Sequence, residues 1–385
     1  MRRGVFYLFP LFLLVSFSLL GQQFYHYGAR AKGMGGAFVA VVDDATAYYW
    51  NPASLSFLYQ RGEMLFTAGR ELVNRGQMVE LLSQADGYLS DYPSSLSPEL
   101  ADVIAGLSSP YSSLSGGSGW SWVVGGGGYS FGVLYGSNAL LYPIPDAERI
   151  SGDPSSPDYI GNNETVLRYR GFKSKEYIFS LSLPLLPDLF FGANVKYIKG
   201  RTYLLEERLL GEYETGLSAK ELYHRAFTRR VEEEGSFSFD LGFLAILSPR
   251  VRLGVVGKDV SKPSFKTALG DKLVLKPRWR VGLAVLATNS LTISCDYDIT
   301  ENRFGDVGPR MRELSFGAEK WFKGRTIAVR GGASYNFASD DPLLSRFLVA
   351  GGLGLRGRGM LFDFSLSYQK GLGDLGMGFT FGYQF

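Results

Sequence analysis

The last residues of the chain, DLGMGFTFGYQF, alternate without a break. Leu375, Met377, Phe379, Phe381, Tyr383 and Phe385 are apolar, while Gly376, Gly378, Thr380, Gly382 and Gln384 are small or polar. A period of two marks a strand whose faces meet different surroundings. The same pattern recurs in GSFSFDLGFLAIL, where Phe237, Phe239, Leu241 and Phe243 alternate with Ser238, Asp240 and Gly242. It recurs again in MLFDFSLSYQ, where Met360, Phe362, Phe364, Leu366 and Tyr368 oppose Asp363, Ser365 and Ser367. Each stretch has about ten residues, the length a tilted strand needs to cross a bilayer.

Fourteen such segments are predicted, near 61–71, 118–126, 128–141, 166–183, 189–205, 234–247, 250–259, 277–287, 290–300, 310–323, 325–338, 345–356, 359–370 and 374–385. The connections between them alternate in length. Short ones read GG, LPLLPD, SPR, ATNS, KGR and GRG, whereas the intervening ones include 72–117, 142–165, 206–233, 260–276 and 301–309. Outer-membrane barrels have short periplasmic turns and longer external loops. The pattern therefore predicts an all-β fold, a transmembrane antiparallel β-barrel of about fourteen strands with its aromatic face toward lipid. Within the first long connection, SPELADVIAGL places Ser97 as a helix N-cap and Pro98 at the first helical position. Leu100, Val103, Ile104 and Leu107 then fall on one helical face. That face needs a partner, either the barrel rim or a hydrophobic ligand, and the rim is the simpler reading. The third long connection is charge-rich and reads as partly helical.

Composition narrows the chemistry. The chain has 385 residues, 40 basic and 37 acidic, with no basic stripe, so nucleic acid is not expected as a partner. Glycine contributes 49 residues, roughly twice the usual ~7% share. Cys295 is alone, which excludes an intramolecular disulfide, and the only histidines are His26 and His224. No cofactor and no metal site are expected. At the N-terminus, Arg2 and Arg3 precede an apolar run from Val5 to Leu20, followed by Gly21, Gln22 and Gln23. This is the grammar of a secretory signal peptide. The expected organisation is signal peptide 1–21, an N-terminal segment 22–60 and a barrel 61–385.

KGMGGAF resembles a phosphate loop only at Gly33 and Gly35, because Phe38 stands where the third glycine belongs. The acid pairs Asp43–Asp44 and Asp296/Asp298 are explained as turn and lumen residues. No enzymatic site is expected. What remains is residues 28–58, GARAKGMGGAFVAVVDDATAYYWNPASLSFL, rich in glycine and alanine and too short to fold alone. Pro52 biases Asn51 toward an extended backbone, and the Asn51 amide can bond locally. Physically this is a compact plug with a fixed corner at Asn51-Pro52-Ala53.

This segment resembles the N-terminal hatch of the FadL-type outer-membrane transport proteins, with their Asn-Pro-Ala motif after an acidic, alanine-rich stretch. Its wording is similar above all to the PorV/PorQ-like and UPF0164-type branch. The resemblance carries over Gly33, Gly35, Gly36, Asp43, Asp44, Asn51, Pro52 and Ala53 as hatch residues, and no ligand-binding residue. It implies an outer-membrane location in a diderm bacterium, lipid around the barrel and passive transport of hydrophobic small molecules of the long-chain fatty-acid kind. It also implies an alternative: a structural or secretion-associated barrel binding secreted cargo proteins through its external loops.

Overall fold

The computed structural model describes residues 27–75, 77–89, 98–107, 113–151, 153, 155–209, 231–267, 270, 272–303, 310–338, 346–369 and 374–385. The expected signal peptide, Ser97, His26, His224 and most of the third external connection lie outside the described residues.

Fourteen antiparallel strands close into one barrel in chain order: β1 Gly62–Arg75, β2 Ser113–Gly126, β3 Tyr129–Ile144, β4 Val166–Leu186, β5 Leu189–Arg208, β6 Val231–Ser248, β7 Val251–Lys258, β8 Arg278–Thr288, β9 Leu291–Asp298, β10 Glu313–Phe322, β11 Ile327–Asn336, β12 Phe347–Gly357, β13 Met360–Gln369 and β14 Asp374–Gln384. Before them come α1 Ala29–Gly33, α2 Ala47–Trp50 and a 3-10 turn over Pro52–Leu58; α3 Met78–Leu89 and α4 Pro98–Leu107 join β1 to β2. The seam pairs Met64 with Tyr383 and Thr67 with Thr380. It ends where Gly62 and Phe385 exchange backbone bonds of 2.8 and 2.9 Å, so neither terminal strand keeps an open edge.

The turns on one end are tight. Gly127 and Gly128 (φ 61° and 84°) and Arg358 and Gly359 (φ 52° and 81°) take the left-handed pairs that suit two-residue hairpins. On the other end β3 to β6 run to 16, 21, 20 and 18 residues, whereas β7 to β14 have 8 to 11. About ten residues span the hydrocarbon. One side of the barrel therefore continues beyond the bilayer as a tall wall. Several boundaries depart from the sequence reading, and two of them have a plain cause. β2 begins at Ser113, because its glycine- and serine-rich start still pairs with Leu72 to Arg75 of β1. Arg310–Met311 leaves the barrel to pair with Asn302–Arg303 outside it.

The two faces of the sheet differ as the period of two requires. Outward residues such as Phe179, Phe239, Phe316, Val349, Phe364, Leu366, Phe379 and Phe381 are exposed, while Ser180, Ser238, Ser315, Ser365 and Thr380 are buried inside. An apolar outward band on a closed barrel is the arrangement that hydrocarbon demands, since every backbone group is paired within the sheet. This is a membrane-spanning barrel of the outer-membrane type. On the long-loop end, the apolar face of α4 packs on α3 and the rim: Leu100, Val103, Ile104 and Leu107 meet Met78, Ala85, Leu114 and Ile160.

Phe364 pairs with Leu353 and Phe379 near the middle of the band. Arg in its place is expected to cost about 2–4 kcal/mol, and Leu less than about 1.5 kcal/mol. Urea titrations in lipid vesicles measure both, and equal losses would put Phe364 off the lipid face.

Candidate functional site

Residues 27–58 lie inside the barrel. Small side chains allow this: Ala29, Ala31, Ala37, Ala40, Ala45, Ala47 and Ala53 are all buried. α1 stops at Gly35 and Gly36 (φ 62° and 83°), and a side chain at Gly35 would sit 2.5 Å from the Ala333 nitrogen of β11. Asn51 is extended (φ −162°, ψ 103°), as the following Pro52 favours. Its Oδ1 accepts the Ala53 N–H at 3.2 Å, and its Nδ2 donates to the carbonyls of Val39 at 3.3 Å and Phe243 at 3.0 Å. One amide thus ties the corner to the segment and to β6. Ser182 of β4 donates to the Ala53 carbonyl at 2.8 Å, and Asn194 of β5 to that of Tyr48 at 2.7 Å.

The wall receives the segment on a belt of inward glycines. A Cβ on Gly192 would lie 2.1 Å from the Ala53 nitrogen, one on Gly242 2.3 Å from Asn51 Oδ1, and one on Gly254 2.9 Å from the Val39 carbonyl. Farther round, Gly317 and Gly332 would meet Met34 backbone at 2.5 and 2.2 Å, and Gly352 faces Gly33 at 3.2 Å. The strand register makes them neighbours: Gly192 pairs with Gly242, Gly254 with Gly282 and Gly317 with Gly332. Backbone meets backbone around much of the circumference.

Ion pairs hold what the glycines admit. Arg30 grips Glu319 of β10 through two bonds of 2.8 Å and reaches Asp43 at 2.5 Å and Asp44 at 2.9 Å. Glu319 also receives Arg330 of β11 at 2.8 Å, which in turn reaches Asp363 of β13 at 2.6 Å. Burial opposes the charge on Asp43, but the Arg30 guanidinium holds its carboxyl well below the usual carboxylate range. Asp44 folds back onto the Thr46 N–H at 3.0 Å. Asp296 of β9 accepts the N–H groups of Phe38 and Val39, both at 2.8 Å. Lys32 meets Glu71 at 3.0 Å.

Toward the long-loop end the inner wall changes character. Inward positions of β3, β4 and β5 carry Leu134, Leu140, Phe172, Ile178 and Ile198, all buried. A hairpin between β7 and β8, Ser264–Lys266 with Lys272–Val274, brings Phe265 onto Phe172 with ring centres 5.0 Å apart. Both rings occupy the space left by Gly200, where a Cβ would lie 2.5 Å from Phe265 and 2.7 Å from Phe172. Between this apolar lining and residues 27–58 is a cavity of about 20 Å³, room for one or two waters. Tyr48, Tyr49, Glu176, Lys196, Asp240, Lys258, Asp259 and Arg278 surround it. Lys196 bridges Asp240 at 2.7 Å and Asp259 at 2.6 Å, and Arg278 meets Asp259 at 2.5 Å.

All eight residues singled out in the sequence lie in this inner segment. The structure brings Asp43 and Asp44 together on Arg30, and places Asn51, Pro52 and Ala53 against Gly192 and Gly242. Sequence reasoning missed Arg30 and its wall partner Glu319, the glycine belt and the Phe265 hairpin. The glycine excess was the one visible signal.

Fold and lumen together define a class: membrane-spanning barrels that hold their own N-terminal segment inside. The chain belongs to the family described as F plasmid transfer operon, TraF, protein, whose model matches residues 48–298, from α2 to the end of β9. Among solved structures it is similar to the Ralstonia pickettii toluene transporter TbuX, with 14% identity over 93% of this chain and 97% of that one and a TM-score of 0.54. It is similar also to the CymD monoaromatic hydrocarbon channel (14%, 96% and 98%, TM-score 0.55) and to a Pseudomonas aeruginosa FadL homologue (11%, 96% and 99%, TM-score 0.53). At such identities the likeness is one of fold. No curated protein matches the sequence.

Proposed function

We propose that this protein is an outer-membrane barrel of FadL type that passes small hydrophobic molecules passively, with residues 27–58 as its hatch and no covalent chemistry of its own. The observation that carries this is the apolar lining of the inner wall directly above the hatch: Leu140, Phe172, Ile198, Phe265 and Leu275 form one buried cluster. A water-filled channel would want polar groups there. With the Phe265 ring moved aside, that cluster would leave an apolar pocket over the charged groups beside the hatch, a usual form of site for a hydrophobic ligand. The solved neighbours named as a toluene transporter and a monoaromatic hydrocarbon channel support the same class. Movement of the Phe265 hairpin off Gly200 would admit the ligand, and displacement of the hatch would let it descend. Long-chain fatty acids and monoaromatic hydrocarbons are the two ligand kinds to compare.

One observation favours a second reading, a PorV-like barrel that binds secreted proteins at its external face. The tall wall of β3 to β6 and the packed pair α3/α4 offer a large platform beyond the bilayer.

Uptake of radiolabelled toluene and oleate by a deletion strain separates the two. The transport reading expects slower uptake of at least one probe, restored by wild type and not by Phe265→Asp. Uptake equal to wild type for both probes, with a secreted protein lost from the cell surface, would leave the second reading.

A further inference from the structure

Above the lipid-facing band, four cations stand together on the outer face of the barrel. About ten residues carry a strand across the hydrocarbon. Counted from the tight turn at Pro187–Asp188, that reach ends near Tyr177 on β4 and Tyr197 on β5, which pair directly. Such rings belong at the headgroup level. The next outward positions are Lys175 opposite Lys199, and then Lys173 opposite Arg201. Lys175, Lys199 and Arg201 are exposed.

Like charges directly opposite each other weaken a strand pair. Here two such pairs follow one another. Glu233 on β6 pairs with Arg201. The Lys173 ammonium lies 4.8 Å over the Tyr203 ring, and that of Lys175 lies 5.1 Å over Tyr177. The Tyr177 ring softens the repulsion between Lys175 and Lys199 without neutralising it. Beside Lys199, β6 has Gly235, where a side chain would collide with the Tyr197 hydroxyl at 2.4 Å. No β6 side chain therefore covers Lys199.

We propose that Lys175 and Lys199, flanked by Lys173 and Arg201, bind the phosphate of a phosphorylated lipid in the outer leaflet. A phosphate fits on charge: it accepts several charge-assisted bonds at once and converts the repulsive Lys175–Lys199 pair into a bridge. A lipid fits on position, because its acyl chains would lie along Phe179, Val195, Phe237 and Phe239, exposed on the same three strands. The site depends on the outer-membrane location and not on transport, so loss of uptake leaves it standing.

The test compares wild type with Lys175→Gln/Lys199→Gln, both reconstituted in phosphatidylcholine nanodiscs. In phosphatidylcholine alone the variant should melt no lower than wild type, because it removes a repulsion. With diphosphorylated lipid A added, native mass spectrometry should find wild type retaining the lipid at least about tenfold more than the variant. Dephosphorylated lipid A should erase the difference. Equal retention by the two proteins, or equal retention of the dephosphorylated lipid by wild type, would overturn the site. So would protection by inorganic phosphate matching that by the lipid, since the ligand would then be a free anion.

Discussion

Valine in place of Gly332 should turn a closed barrel into a conducting one. Gly332 lies on β11 with a regular strand backbone, so a β-branched residue suits its conformation. Its Cβ, however, would fall 2.2 Å from the Met34 carbonyl carbon and 2.4 Å from the Gly35 nitrogen. Both are backbone atoms of residues 27–58 and have no rotamer to change. The fourteen-strand ladder is the stronger of the two structures, so the inner segment should give way. In planar bilayers the variant should show stepwise ion conductance where wild type shows none, while the folded band on gels keeps its resistance to heat. Gly331→Val supplies the control: that neighbour faces outward, with nothing within 4 Å of its Cβ. Conductance in both variants, or in neither, would mean that residues 27–58 do not seal the lumen against this wall.

Removing the Glu319 carboxylate should loosen the same segment from the opposite direction, electrostatically. Glu319 receives both Arg30 from the inner segment and Arg330 from β11, and all three side chains are almost wholly buried. Breaking a buried pair by deleting one partner costs about 3–5 kcal/mol, because the other charge stays desolvated. Asp43 and Asp44 still face Arg30, and Asp363 still faces Arg330, which puts Glu319→Ala at the lower end of that range. The loss should appear as faster hydrogen exchange and protease cleavage within residues 27–58, with the barrel strands unchanged. A double-mutant cycle with Arg30→Ala isolates the pair. A coupling below about 0.5 kcal/mol would remove Arg30–Glu319 as a fastening.

How much of this was legible beforehand follows from the range of each interaction. Lipid acts on every strand separately, so each wrote its own alternation into the sequence, and Phe379 or Phe364 could be read without knowing its neighbours. The Asn51-Pro52-Ala53 corner was legible for a like reason: proline constrains the residue before it, and the amide closes on Ala53. Arg30 and Glu319 lie 289 residues apart, and nothing near either names the other. The glycines were conspicuous in number. That Gly192 sits beside Gly242 and Gly317 beside Gly332 is a property of strand register, which is fixed only when the sheet is assembled. Phe265 escaped notice because its strand has three residues, too few to display a period.

The seam carries a consequence for biogenesis. Gly62 and Phe385 are bonded to each other, so the seam is not complete before Phe385 has been delivered. Residues 27–58 are made first and have contacts waiting on β4 to β6, β9 to β12 and β14. Those contacts lie on many sides of the lumen, so a sheet that curls around the segment meets its partners as it closes. The inner segment then serves as a mandrel during assembly, while the closed ladder stands without it afterwards.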